Sequence, residues 1–191
     1  MKKLKIVKIV VLALLVIGRV LFLHRNLPRT EVVQITGTDM KRVDKSGGKP
    51  KDVAENSKGE SVVRTSDVRF INTVMRNGKV RVFRNEDTGW GWPPYFKFNS
   101  ADVTAQAQAF STSEAKPWVR VKYYGWRIHI FSMFPNAISL KEVDKDYTHI
   151  PLFNIVFVSM LIIIGFFMRR KFKQLIKWAR GLTKSSDTQV K

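Results

Sequence analysis

Residues 67–85 read DVRFINTVMRNGKVRVFRN and contain the strongest local folding signal in the polar middle of the chain. Two β-rich runs, 67–74 and 80–85, flank an Asn77-Gly78 pair, which supplies the positive φ angles of a tight turn. The pattern predicts a β-hairpin. Apolar residues at alternating positions are expected to share one face of it, namely Val68, Phe70, Val74, Val80 and Val82.

Further elements are predicted on both sides of this hairpin. Alternating apolar residues indicate five more strands, at 31–38, 95–98, 118–124, 126–132 and 137–143. Asn99 or Ser100 can cap a helix that extends to about Phe110 and buries Val103 and Ala107. Residues 40–61 are polar and rich in Gly, Lys and Asp, and this composition is typical of a long mobile loop.

The order of these elements predicts an α+β domain that is mostly β, spanning residues 30–149. We expect a small curved antiparallel sheet or partly open barrel with one helix, of the oligonucleotide-binding-fold or SH3-like kind. An open antiparallel sheet covered by the helix is the alternative. About 120 residues are enough for a packed core.

Two apolar stretches flank this domain, so the predicted fold includes two transmembrane helices. Residues 150–168, IPLFNIVFVSMLIIIGFFM, contain no charge, and a helix of this length is about 28 Å long, close to the hydrocarbon thickness. Within residues 1–29, a helix at about 6–23 is a poorer span because it includes Lys8 and Arg19. A cleaved signal peptide is the alternative, but no small-residue cleavage site follows, which favours an uncleaved anchor.

The distribution of basic residues predicts the orientation. Residues 169–191 are strongly basic, and basic flanks stay in the cytoplasm, so we expect both termini there and the middle domain in the periplasm of a Gram-negative inner membrane. Apolar residues recur at helical spacing in this tail, which predicts an amphipathic helix on anionic lipid. A simple stop-transfer signal is the alternative.

The net charge of +19 does not indicate a nucleic-acid partner once it is divided by segment. Residues 1–29 and 150–191 carry +7 each, and the middle only +5, so membrane topology accounts for most of the excess. The absence of cysteine excludes disulfides and thiolate metal sites. His24, His129 and His149 are interpreted as interfacial or surface residues, and neither a metal nor another cofactor is predicted.

Four segments carry a resemblance to a known family. They are 70–74, 84–98 with the string RNEDTGWGWPPYFKF, 124–127 and 134–137. The chain resembles a bacterial membrane family catalogued as domain of unknown function 1523. The resemblance covers most of the chain and implies a proteobacterial inner-membrane protein, but it implies no activity and no site residues.

The segment 84–98 also contains the candidate binding residues. Ligand or partner binding is predicted for Trp90, Trp92, Tyr95, Arg84 and Arg127. Glu86 and Asp87 beside two tryptophans are also typical of a sugar-handling site. Adjacent residues on an extended chain point in opposite directions, however, so a fixed turn with a packed Trp-Pro cluster is the favoured interpretation. A second interpretation is that the aromatic rings of this segment contact lipid headgroups.

These observations leave three functional hypotheses. The first is a non-enzymatic membrane protein whose periplasmic module binds an envelope partner protein. The second is a binding module for envelope glycan or lipid. The third is a periplasmic hydrolase that uses Glu86 or Asp87, although no recognised catalytic string is present.

Overall fold

The computed structural model describes residues 2–44, 54–55, 61–62 and 65–188. The chain divides into two compact units, Met1–His149 and Ile150–Lys191. The described residues of the first unit form two helices and seven strands, which are α1 (Lys2–Asn26), β1 (Arg29–Asp44), β2 (Ala54–Glu55), β3 (Ser61–Val62), β4 (Thr65–Met75), β5 (Val80–Asn85), α2 (Ser100–Thr112), β6 (Trp118–Tyr124) and β7 (Asn136–Glu142). The second contains α3 (Leu152–Thr188).

Five strands form a closed barrel in the order β1-β4-β5-β7-β6. The closure depends on the 16-residue strand β1, whose residues 29–34 pair with β6 and whose residues 33–44 pair with β4. A register shift between Ile35 and Gly37 lets β1 bend from one neighbour to the other. The predicted β-rich domain is therefore confirmed, as a closed barrel.

One pairing differs from the antiparallel sheet that was predicted. β5 and β7 run parallel and meet at a single pair, Arg84 opposite Asn136, so the barrel is mixed. The parallel arrangement follows from the connection, because α2 and β6 lie between these two strands in the chain. Beside this short pairing, the Asn136 side chain accepts a hydrogen bond from the amide of Glu86 at 2.9 Å and donates one to the Glu86 carbonyl at 3.0 Å.

The core lies between the barrel and α2. Strand β6 alternates regularly and buries Val119, Val121 and Tyr123, while α2 covers the barrel with Val103 and Ala107. The rings of Phe83 and Tyr123 pack with their centroids 5.0 Å apart. The predicted helix is confirmed, and its narrow apolar face buries the residues expected.

The predicted hairpin forms, with Gly78 at a φ of +76° in the turn between β4 and β5. The face of the hairpin that packs against the core, however, is not the one predicted from the alternating apolar residues. Ile71 and Phe83 point into the core, and Thr73 joins them because its hydroxyl donates to the carbonyl of Arg81 at 2.8 Å. Phe70 and Val82 point outward instead and line a cleft.

Three other local predictions were wrong in their boundaries or type. β1 extends to Asp44 and so includes the first residues of the predicted loop 40–61, of which 45–53 and 56–60 lie outside the described residues. Residues 94–99 are irregular rather than a strand, because Phe96 has a φ of 48°. Residues 126–132 form a turn closed by an Ile128–Met133 bridge, because Gly125 at φ +91° redirects the chain.

Both apolar stretches form long helices. Lys5–Asn26 of α1 and Leu152–Ile176 of α3 are long and apolar enough to cross a membrane, and their apolar side chains are exposed. α3 continues through Thr188, so the backbone of the predicted basic tail is helical. The side chains after Ile176 lie outside the described residues, and the predicted amphipathic contact with anionic lipid stays a prediction.

Candidate binding site at the aromatic loop

The loop between β5 and α2, residues 86–99, is called the aromatic loop, and a buried lysine fixes its base. The amine of Lys97 donates to Oδ1 of Asn85 and to the carbonyl of Glu86. Asn85 in turn donates to the carbonyl of Ser100 at 2.8 Å and to Thr104 Oγ1 at 2.9 Å, which connects the loop to α2. Burial lowers the pKa of Lys97 to about 8, because removal from water disfavours the charged amine.

The two adjacent carboxylates of this loop have separate structural contacts. Asp87 accepts hydrogen bonds from the Ser100 amide at 2.9 Å and the Ser100 hydroxyl at 2.7 Å, so it caps α2. The Asn99 side chain makes no capping hydrogen bond, so Asp87, which is more distant in the sequence, replaces it as the cap. Glu86 forms an ion pair with Arg84. The geometry gives the two carboxylates no shared target.

One part of the aromatic loop docks on the end of α1. The indole of Trp92 donates to Oδ1 of Asn26 at 3.0 Å and stacks on Phe22 with centroids 5.8 Å apart. The hydroxyl of Tyr95 donates to the carbonyl of Asn26, and its ring stacks on Tyr124 at 4.8 Å. Burial raises the pKa of Tyr95 above its usual value, so this hydroxyl stays a donor.

The other part of the loop is exposed to solvent. Trp90 is 84% exposed, Phe96 54% and Phe98 58%. The indole of Trp90 meets both phenyl rings edge to face, at 5.4 Å from Phe96 and 5.8 Å from Phe98. These three residues are called the aromatic triad. They form a preorganised apolar patch at the surface of the barrel.

A second loop, residues 125–135 between β6 and β7, also holds α1. The Trp126 indole donates to Nδ1 of His24 at 2.8 Å, and the amide of Gly125 donates to the carbonyl of Arg25 at 2.9 Å. The Arg29 guanidinium donates to the carbonyl of Gly125. The end of α1 is therefore fixed between two loops of the barrel, and His24 serves as a structural acceptor.

The two loops and the outer face of the β4–β5 hairpin enclose an open cleft of about 1150 Å³. Its aromatic lining comes from these three parts and from the ends of α1 and β6, with Phe22, Phe70, Trp92, Tyr124, Trp126, Phe131 and Phe134. Three cations, Arg25, Lys41 and Arg84, face two carboxylates, Asp39 and Glu86. Asp39 accepts a hydrogen bond from the Asn72 amide at 2.7 Å, and Glu86 pairs with Arg84. Because three cations stand against two carboxylates, the lining of the cleft has a small net positive charge.

The predicted site residues take up different positions. Arg84 and Trp92 line the cleft, whereas Trp90 belongs to the aromatic triad. Tyr95 lies between Tyr124 and α1. Arg127 has a structural role, because its guanidinium lies 3.9 Å over the Phe134 ring and donates to the Met133 carbonyl at 3.0 Å. In the described part of the chain, no three His, Asp or Glu side chains converge as metal ligands.

Sequence reasoning missed much of the cleft lining. Phe70 and Val82 were recognised as sharing a face, but not as lining a cleft. Trp126 and Phe131 were assigned to a strand that does not form. The available signal was the Tyr124-Gly125-Trp126 sequence, since a glycine between aromatic residues at a strand end marks a change of direction.

The fold and the cleft define a small β-barrel module with two long apolar helices, and comparison with known proteins assigns its family. A family model described as protein of unknown function (DUF1523) matches residues 1–176, and the chain belongs to this family. A relative from Haemophilus influenzae strain Rd, named uncharacterized protein, is 43% identical over 121 residues, 63% of this chain and 65% of that protein. The aligned region thus spans just under two thirds of the relative. No solved structure matches the chain.

Proposed function

We propose that this protein is a two-span inner-membrane protein with both termini in the cytoplasm and its barrel in the periplasm, where the barrel binds an envelope partner protein. Two helices with the length and apolarity of membrane spans support the anchoring. The basic flank after the second span supports the orientation. A periplasm-dependent reporter fused after Lys191 should be inactive, and activity there would contradict this orientation.

The aromatic triad is the observation that carries the proposed partner binding. Tryptophan is enriched among the residues that contribute most binding energy at protein interfaces, and aromatic residues including phenylalanine are enriched in interface cores. The triad is held in place by the buried Lys97 and by the left-handed conformation of Phe96, which is strained for a residue with a Cβ. Strained backbone is concentrated at functional sites, and this supports recognition at the triad.

Site-specific photocrosslinking in intact cells tests this interaction. A benzophenone amino acid at Trp90 should give a discrete protein adduct, identified by mass spectrometry, and the same probe at the exposed Gln106 of α2 is the matched control. The Trp90 adduct should weaken when Phe98 is replaced by Ala. Equal labelling at both positions, or labelling by lipid alone at Trp90, would contradict a protein partner at the triad.

A second function, the binding of an anionic glycan or lipid in the cleft, is favoured by Arg84. Its Nε is buried and has no hydrogen-bond partner among the described residues, although the guanidinium reaches the cleft and Glu86. An anionic group in the cleft would pair with the charged side chains of Arg25, Lys41 and Arg84, which line it. Native mass spectrometry of the full chain should then detect a bound ligand that Arg84→Gln loses and Arg127→Gln retains. The same ligand occupancy in both variants would exclude this assignment.

The third hypothesis, a hydrolase using Glu86 or Asp87, receives no support from the contacts of these carboxylates. Asp87 is committed to α2, and Glu86 to Arg84. Activity remains the deciding measurement, and a Glu86→Gln variant that fully rescues a deletion phenotype would argue against hydrolysis by this residue.

A further inference from the structure

The turn Ile128–Met133 presents two large apolar side chains at its tip. Ile130 is 90% exposed and Phe131 71% exposed. Backbone hydrogen bonds between Ile128 and Met133, at 3.0 and 3.1 Å, close the turn. The exposure of these two adjacent apolar side chains to water is unfavourable. An apolar partner that covered them would remove this cost.

The position of this turn identifies that partner. Phe131 lines the same cleft as Phe22, which lies in the last turns of the Lys5–Asn26 span. Two tryptophans also touch this end of α1, Trp92 through Phe22 and Trp126 through His24. The end of a membrane span lies at the headgroup layer, and tryptophan rings are enriched there. The Ile128–Met133 turn therefore lies at the rim of the barrel where α1 ends.

We propose that the Ile128–Met133 turn inserts into the outer leaflet of the bilayer that α1 crosses, so that the barrel is seated on the lipid surface. The exposed Arg25 at the same rim can pair with lipid phosphate, as basic residues do beside interfacial apolar segments. The proposal rests on the proposed membrane topology and adds a third lipid contact, made by the barrel itself. The aromatic triad, which does not line this cleft, is left free for a protein partner.

Helix α2 provides an aqueous reference, because it contributes no residue to the lining of the cleft. Gln106 on α2 is exposed, so a probe there should stay in water.

Because the chain contains no cysteine, single-cysteine labelling tests the insertion without background. The full-length protein carries an environment-sensitive fluorophore at Ile130→Cys, in nanodiscs of zwitterionic and anionic phospholipid with doxyl-labelled lipid as quencher. Leu15→Cys in α1 is the membrane reference and Gln106→Cys the aqueous control. We expect blue-shifted emission at Ile130→Cys and quenching at least about threefold stronger than at Gln106→Cys.

A second set of variants separates insertion of the native turn from an effect of the fluorophore. With the label at His129→Cys, the added changes Ile130→Ser and Phe131→Ser should abolish quenching, while thermal unfolding is unchanged because both side chains are exposed. Quenching at Leu15→Cys with none at Ile130→Cys would overturn the insertion but not the proposed topology. Absence of quenching at both would overturn the topology as well. Protection of Ile130→Cys by a co-purified protein would assign the turn to a protein interface instead.

Discussion

The two parts of the aromatic loop contain the same kinds of residues in very different surroundings. Trp92 and Tyr95 pack against Phe22 and Asn26 at the end of α1 and against Tyr124 of β6, whereas the rings of the aromatic triad contact one another and stay exposed to solvent. Packing explains the first pair without any external partner, and nothing within the described structure explains the exposure of the second. One loop can therefore combine a structural joint with an exposed patch, for which we propose a role in recognition.

Replacing Tyr95 should have the largest effect on this comparison. Tyr95→Ala removes the stack on Tyr124 and the hydrogen bond to Asn26, and we expect a loss of about 2–3 kcal/mol of unfolding free energy. Tyr95→Phe retains the stack and should lose only about 1 kcal/mol. Chemical denaturation in detergent, followed by near-ultraviolet circular dichroism, measures both. Equal losses would mean that the ring packing contributes little to the joint.

Asp87→Ala should cause the second-largest loss of unfolding free energy, because the loop then no longer caps α2. Two hydrogen bonds to Ser100 are lost, at an expected cost of about 1–2 kcal/mol. Asn99→Ala is the matched control, since that side chain makes no capping bond. The same denaturation experiment applies, and a smaller loss for Asp87→Ala than for Asn99→Ala would contradict the assignment of the cap.

Lys97 should make the stability depend on alkaline pH. Its folded pKa of about 8 lies below the ordinary value of 10.5, so the unfolded chain binds this proton more tightly. Stability should therefore rise as the pH increases from 8 towards 10, by about 1 kcal/mol between pH 7 and pH 9. The neutral amine can still donate to Asn85 and Glu86. Lys97→Met should flatten this slope, and an unchanged slope would assign the pH dependence to another group.

Trp90→Ala should have the smallest effect on stability and the clearest effect on the proposed binding of a partner protein at the aromatic triad. At 84% exposure the ring buries little area, and we expect a change within about 0.5 kcal/mol. Trp92→Ala should lie between Trp90→Ala and Tyr95→Ala, because it loses the bond to Asn26 and the stack on Phe22. A larger loss for Trp90→Ala than for Trp92→Ala would reverse the proposed division of the loop.

The sequence predicted the elements with regular periodicity and missed those created by tertiary contacts. The strand β6, the hairpin turn at Gly78 and the helix α2 follow from alternation, turn chemistry and helical spacing. The cleft follows from closure of the barrel, which depends on how β1 changes its neighbour and on the outward direction of Phe70. The role of Asp87 depends on a contact with Ser100 across thirteen residues, for which local propensity gives no signal.

The join between α1 and β1 has a consequence for how a ligand can reach the barrel. Only Leu27 and Pro28 separate the helix from the strand, and at about 3.5 Å per residue they allow a standoff of about 7 Å. With α1 in the bilayer as proposed, the cleft stays close to the membrane surface. Encounters with molecules attached to the same membrane are then confined to two dimensions, which raises their effective concentration relative to molecules in free solution.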